Sequence, residues 1–361
     1  MAHLLEPLTV RSITLRNRIC VSPMCQYSSE DGHATDWHFV HLGSRAVGGA
    51  ALVIVEATAV EARGRITPQD AGLWTDSQIA PLKRINDFML LHGAIPGIQL
   101  AHAGRKASTF RPWERNGRQA VLPEEGGWEP VAPSAVPFDS DYPMPRELTI
   151  DEIGQIKERF LQAAERALKA GYQWLELHAA HGYLCHSFHS PLSNKRNDQY
   201  GGSFENRTRF TLETAKALRE QWPAELPMSV RLSCSDWFDG GWTLDESVEL
   251  AKLLKNVGVD LVDCSSGAGT PLAKIKVGAS YQVPFAERIK HEAKILTGAV
   301  GMITEPMQAD AIIRNEQADI VFIARELLRD PYWPVHAARV LHQSDKLALP
   351  DAYQYAAYPR G

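Results

Sequence analysis

The chain has 361 residues, a formal net charge of −5, 22% charged residues and 44% hydrophobic ones. That apolar content excludes intrinsic disorder, and the mildly acidic balance without a basic block argues against a nucleic-acid partner. The longest apolar run, Ala46 to Val55, is closed by Arg45 and Glu56 and is too short to cross a bilayer.

Residues 4–15 (LTV, SITL) read as a short hairpin. Eight strand-like runs follow. They are Arg18–Ser22, Ala51–Ala57, Ile95–Leu100, Trp174–His178, Met228–Leu232, Leu261–Ser265, Ile295–Val300 and Ile320–Ala324. Runs such as ALVIVEA and DIVFIA are apolar almost throughout, as strands buried on both faces of a parallel sheet are. Helical patterns lie between them. Thr149-Ile-Asp-Glu152 is a capping box, with Ile153, Ile156, Phe160 and Ala167 on one face and Gly171 to end the helix. Thr243-Leu-Asp-Glu246 repeats the device, with Val248, Ala251, Leu254 and Val257 inward and Gly258 at its end. Ser203 caps a helix that Pro223 stops, and Pro306 fits a helical first turn.

Eight strand–helix units predict a single (β/α)8 barrel over residues 1–361, with the hairpin closing its bottom. A doubly wound open sheet is the alternative, but no GxGxxG follows the first strand. The connection 102–149 is rich in Pro, Gly and Trp, and a loop of that length in a compact domain is usually functional. Residues 351–361 form a tail. The opening MAHLLEPLTV has no basic stretch leading into an apolar one, so no secretion signal is read there. Five widely spaced cysteines without a CxxC suggest reduced thiols in a cytoplasmic setting and no four-cysteine iron–sulfur cluster.

In such a barrel the active site lies at the C-terminal ends of the strands. The first strand leads into Ser22-Pro23-Met24-Cys25-Gln26-Tyr27, the second into Glu56-Ala57-Thr58, and the third carries Gln99. The fourth leads into His178-Ala-Ala-His181-Gly-Tyr183, the fifth carries Arg231, the seventh leads into Gly301 and the eighth into Ala324-Arg325. The histidine pair has three readings. It clamps an oxygen while Tyr183 delivers a proton, it binds a metal with Cys185, His186 and His189, or it is an ordinary strand end. Backbone N–H groups near Gly301 and Ala324, with Arg325, suit a phosphate; the alternative is tight turns and a surface arginine. Cys25 is a tuned thiol or a packed one.

At these residues the chain resembles the Old Yellow Enzyme family of FMN-dependent ene-reductases, in the bacterial, thermophilic-like subclass that includes xenobiotic reductases. The stretches are LRNRICVSPMCQYSSEDG, GIQLAHAGRKAS, ELHAAHGYL, SPLSNKRNDQYGGSFENRTRF, SYQVPFAERI, TGAVGMI and ARELLRDPYW. The resemblance implies that Ser22, Pro23, Met24, Cys25, Ala57, Gln99 and Arg231 hold the flavin ring, Gln99 at its pyrimidine edge. Gly301, Ala324 and Arg325 take the FMN phosphate. His178 and His181 clamp the substrate oxygen, Tyr183 donates the proton, Cys25 tunes the flavin and Tyr27 touches substrate. It implies NADPH dehydrogenase or ene-reductase activity. NADPH or NADH first reduces tightly bound FMN by hydride transfer; an activated alkene then takes the hydride in a ping-pong cycle. It also implies a homodimer or homotetramer in which a tail residue, Tyr355, Tyr358 or Arg360, reaches a neighbouring subunit's site. Two departures stand out: Ala324 where the family often has glycine, and the sequence of the tail. A zinc hydrolase, a dienoyl-CoA reductase-like enzyme and a non-catalytic flavin sensor are the competing readings.

Overall fold

The structure is a computed structural model describing residues 3–115, 119–347 and 349–356. It opens with a hairpin of β1 (Leu8–Val10) and β2 (Ile13–Leu15), Leu8 opposite Leu15. Then come β3 (Ile19–Val21), α1 (Asp36–Val47), β4 (Leu52–Ala59), α2 (Ile79–Leu91) and β5 (Ile95–Ala101). The loop after β5 holds a two-residue parallel pair, β6 (Val131–Ala132) with β7 (Arg146–Glu147). Next are α3 (Ile150–Lys169), β8 (Trp174–Ala179), α4 (Leu184–His189), α5 (Phe204–Gln221) and β9 (Met228–Ser233). The chain continues through α6 (Leu244–Asn256), β10 (Leu261–Ser265), α7 (Val283–Ala293), β11 (Leu296–Ala299), α8 (Pro306–Arg314), β12 (Ile320–Ile323), α9 (Arg325–Arg329) and α10 (Trp333–Val340).

Strands β3, β4, β5, β8, β9, β10, β11 and β12 pair in that order, all parallel, and β12 pairs back onto β3. This closure makes the fold a (β/α)8 barrel and removes the open-sheet alternative. Every predicted strand is present, with no end moved by more than two residues. Strand side chains face inward and outward alternately. Along β8 the inward set is Trp174, Glu176 and His178.

The helices begin where the sequence places them. Glu152 N–H donates to Thr149 Oγ1 (3.2 Å), while Thr149 N–H donates to Glu152 Oε2 (2.9 Å). The Thr243–Glu246 box repeats this at 3.3 and 3.0 Å. Asn206 N–H donates to Ser203 Oγ at 3.3 Å. Gly171 (φ +84°) and Gly258 (φ +94°) turn the chain just past the ends of α3 and α6, in a region where a Cβ is strained. Val257, expected inward, is the half-buried C-terminal cap of α6.

The hairpin seals the N-terminal end of the barrel. Val10, Ile13 and Leu15 share an apolar cluster with Leu52, Ile54, Trp174, Leu261, Ile320 and Phe322. Arg11 pins its tip, donating from Nε to Asp260 (2.7 Å) and from Nη1 to the Ala224 carbonyl (2.6 Å). With that end closed, access is left to the rim at the C-terminal strand ends. Among the described residues no helix is long and apolar enough to cross a membrane.

Candidate active site

Strand β8 positions the central cluster. His178 is its inward residue nearest the rim, and His181 and Tyr183 follow on the turn into α4. The His178 and His181 rings lie 5.2 Å apart between centroids, and His178 and Tyr183 lie 5.0 Å apart, each pair edge to face. His181 holds φ +60° and Gly182 +73°. Left-handed backbone at a histidine costs energy and is retained where the surroundings over-determine it. Here His181 N–H donates to Ser233 Oγ (2.8 Å), and His181 Nε2 meets Ser265 Oγ at 2.7 Å. His178 Nδ1 accepts the Ala180 N–H at 3.2 Å.

Both imidazoles are neutral. Burial, then the Arg231 charge, holds His178 and His181 well below the usual histidine range, and Lys106 adds to the effect. Since His178 Nδ1 is an acceptor, its proton sits on Nε2, which makes Nε2–H a donor. Lys106 Nζ donates to the carbonyls of His181 (3.0 Å) and Ala268 (3.1 Å) and lies 5.4 Å from the Tyr183 ring centroid.

The first strand's loop reaches the same place. Tyr27 and Tyr183 belong to one buried patch with Ile66, Ala103 and Ala107, and Cys25 packs against it. Tyr27 has φ +51°, and its ring meets Trp113 edge-on at 5.7 Å. A register shift in β4 between Val55 and Thr58 turns Glu56 toward this loop. Glu56 Oε2 accepts the Gln26 N–H (2.8 Å), and its Oε1 lies 3.2 Å from His38 Nε2. Ala57 is buried in the same shift, and Met24 packs on the main core. All five cysteines are free thiols.

One layer deeper lie Gln99 and Arg231. Gln99 Nε2 donates to Glu176 Oε1 at 2.9 Å, and Arg231 Nε lies 3.1 Å from Asp263 Oδ2. On the far rim Gly301 has φ +116°, and a Cβ there would lie 2.8 Å from Gln282 Nε2, so only glycine leaves the backbone open. Ala324 adopts φ −104° and ψ −102° and leads into exposed Arg325. Tyr281 feels both Arg325 and Arg231, which oppose the rise that burial imposes on its phenol.

These residues fit FMN. Ser22 Oγ is buried without a hydrogen-bond partner among the described residues. An orphaned polar atom in that position calls for a polar ligand. The glycine cradle and Arg325 suit its phosphate.

The remaining histidines of the strand-four stretch do other work. His186 Nδ1 accepts the Gly182 N–H (2.8 Å), and its Nε2 lies 3.1 Å from Asp236 Oδ1. Burial opposes the Asp236 charge, but His186, Ser190 and Trp242 outweigh it and hold the carboxyl at about 2. His189 Nε2 meets Thr211 Oγ1 at 2.7 Å. Tyr355 is exposed in a short 3-10 turn (Asp351–Ala356), while Tyr358 and Arg360 lie outside the described residues. The motif reading missed Glu176, Asp263, Ser265 and Lys106. Period-two alternation signals the first two, since Glu176 shares a face with His178 and Asp263 with Ser265.

The NADH:flavin oxidoreductase / NADH oxidase family is matched over residues 3–344. The chain belongs to this family. A relative named NADPH dehydrogenase from Geobacillus sp. (strain WCH70) is 49% identical over 94% of each chain. Among solved structures, the old yellow enzyme homologue from Zymomonas mobilis has a TM-score of 0.78 at 25% identity over 99% of both chains. A 2-naphthoyl-CoA reductase complex has a TM-score of 0.85 at 26% identity; it covers 94% of this chain, which spans 52% of that one. The Old Yellow Enzyme resemblance stands. As a member of the family the protein is an enzyme, an FMN-dependent oxidoreductase that draws on NADPH or NADH.

Proposed function

We propose that this enzyme reduces activated C=C bonds, in α,β-unsaturated ketones and aldehydes, maleimides and related nitro compounds. The observation that carries the reading is the His178–His181–Tyr183 cluster, which faces the Cys25–Tyr27 loop above Gln99 and Arg231. Bound FMN supplies a hydride carrier that NAD(P)H reloads. The chain supplies the rest. Gln99 would bond the pyrimidine edge of the ring and Arg231 would place positive charge beside it, with Ser22, Pro23, Met24, Cys25 and Ala57 helping to hold the ring. Gly301, Ala324 and Arg325 would take the phosphate.

His178 Nε2–H, with His181, donates to the carbonyl or nitro oxygen of the alkene. Neutral imidazoles bind the neutral substrate as donors, and their bonds strengthen as charge develops on that oxygen. Tyr183 then gives its phenolic proton to the α-carbon as the β-carbon takes the hydride. Tyr27 closes the other side. NAD(P)H and alkene occupy the same face in turn, which makes the kinetics ping-pong. The assembly is a homodimer or homotetramer, as the family resemblance implies.

Tyr183→Phe tests the reading. We expect anaerobic flavin reduction by NADPH to be spared and reoxidation by an enone to slow by about 10²-fold or more. Equal loss in both half-reactions would contradict the proton-donor role. Flavin binding without turnover on any activated alkene would favour the sensor reading.

A further inference from the structure

The barrel interior changes character with height. Its floor is apolar, with Leu52, Ile54, Trp174, Leu261, Ile320 and Phe322. Its rim carries the histidines. Between them lies an ionisable layer of Glu176 on β8, Arg231 on β9 and Asp263 on β10, with Gln99 on β5 beside Glu176. Glu176 and Asp263 are fully buried, and Gln99 and Arg231 nearly so. Barrels usually fill this level with branched apolar side chains, and exchanging a buried ionic group for apolar packing is often stabilising. Packing therefore does not account for the layer.

Its hydrogen bonds have a direction. Trp174 Nε1, a donor only, donates to Ser229 Oγ at 2.9 Å. The Ser229 hydroxyl then donates to Glu176 Oε2 at 2.9 Å. Gln99 Nε2 donates to the other oxygen, Glu176 Oε1, at 2.9 Å. An ionised carboxylate only accepts. It therefore holds the Gln99 nitrogen inward and leaves the Gln99 Oε1 and its second N–H to face the other way. A proton on Glu176 Oε1 reverses this. The new O–H needs an acceptor, so the Gln99 oxygen must turn inward, and two N–H donors face outward.

We propose that Glu176 is a positioning residue whose protonation sets the orientation of the Gln99 carboxamide and, through it, the affinity for FMN. The proposal rests on the reading of Gln99 as the contact to the pyrimidine edge of the flavin. That edge presents an N–H between two carbonyls, so it takes one acceptor and one donor. Gln99 offers that pair only while Glu176 is ionised.

The surroundings place the switch near neutral pH. Burial, then the like charge of Asp263, pushes Glu176 up to about 8, against Arg231, Ser229 and Gln99. Burial raises Asp263 as well, while Arg231, 3.1 Å away, favours its charged form. Two further titratable groups face the layer, the Cys20 thiol on β3 and His178 above. Burial keeps both neutral there.

The test is the FMN dissociation constant of the full-length protein from about pH 6.5 to about 9.5, read from flavin fluorescence released on dilution. The ratio of wild type to Glu176→Gln cancels titration of the flavin's own groups. We expect wild-type affinity to tighten by several-fold, up to about tenfold, as pH rises through the break, relative to a flat Glu176→Gln. Ser229→Ala removes a bond to the ionised form and moves the break up. Asp263→Asn removes the like charge and moves it down. These two shifts remain measurable if Glu176→Gln does not fold. A constant ratio, or a break that neither variant moves, overturns the proposal while leaving the flavin site intact. Failure of the wild-type protein to take FMN at any pH overturns the reading of the site itself.

Discussion

The proposed role of His178 and His181 as donors needs uncharged rings, and burial beside Arg231 and Lys106 holds both well below the usual histidine range. An ordinary histidine would take a proton near 6.5 and change its affinity there. The affinity for phenol, a ligand expected to bind the pair through its oxygen, should therefore show no histidine break between about pH 6 and 7.5. A midpoint near 6.5 in a spectroscopic titration would contradict this. His178→Ala should lose more than affinity. Removing one donor that acts mainly in the transition state costs about 10²–10³ in the alkene half-reaction, measured by stopped flow on reduced enzyme. At this scale the sequence names the residue types but not their states. HAAHGY shows two histidines three apart. Which nitrogen carries the proton depends on the Ala180 N–H, and the charge depends on residues far along the chain.

The elements supply the aim. The loop that carries Cys25 and Tyr27 has no regular structure of its own; it is braced at Gln26 by Glu56, which the register shift in β4 turns toward it. Glu56→Ala should leave the part-buried Gln26 N–H and the buried His38 without that partner, costing roughly 1–3 kcal/mol and lowering Tm without touching the strand-four cluster. An unchanged Tm would remove the brace. Cys25→Ala is expected to shift the flavin midpoint potential while FMN stays bound, and spectroelectrochemistry reads the shift. The helix starts are legible because a capping box is a local contract between residues three apart. Thr149 and Glu152 need only each other. The brace is illegible because Gln26 and Glu56 are thirty residues apart and meet only through strand pairing.

Across the whole molecule, buried acids and buried histidines oppose each other. Among the described residues, burial raises Glu176 to about 8, Asp70 to about 7 and Asp263 to about 6. The folded chain thus keeps protons that the unfolded chain releases above about pH 4. Their stabilisation is complete at low pH and is lost as pH rises through those values. His41, lowered by burial to about 3, and His178, His181 and His189 act the other way. Their stabilisation is present above about 6.5 and is lost below it, where only the unfolded chain takes the proton. On acidification from about pH 8.5 the acids act alone; below about pH 6 four histidines outweigh three carboxyls. The protein without cofactor should therefore have its highest Tm near pH 6–6.5. A thermal-unfolding maximum above about pH 7.5 would contradict the balance. The sequence by itself determined the barrel, because the apolar strand is a local pattern that repeats eight times, several helix starts between the strands carry local caps, and the order of the units leaves little choice of topology. It also determined which residues stand at the strand ends. Only the tertiary structure decided the charged layer under the rim, the tautomer of His178 and the brace on the first loop. The layer and the brace join segments distant in sequence, and the tautomer is set by a turn that only the folded strand end forms, in a water-poor interior where charge depends on every neighbour at once.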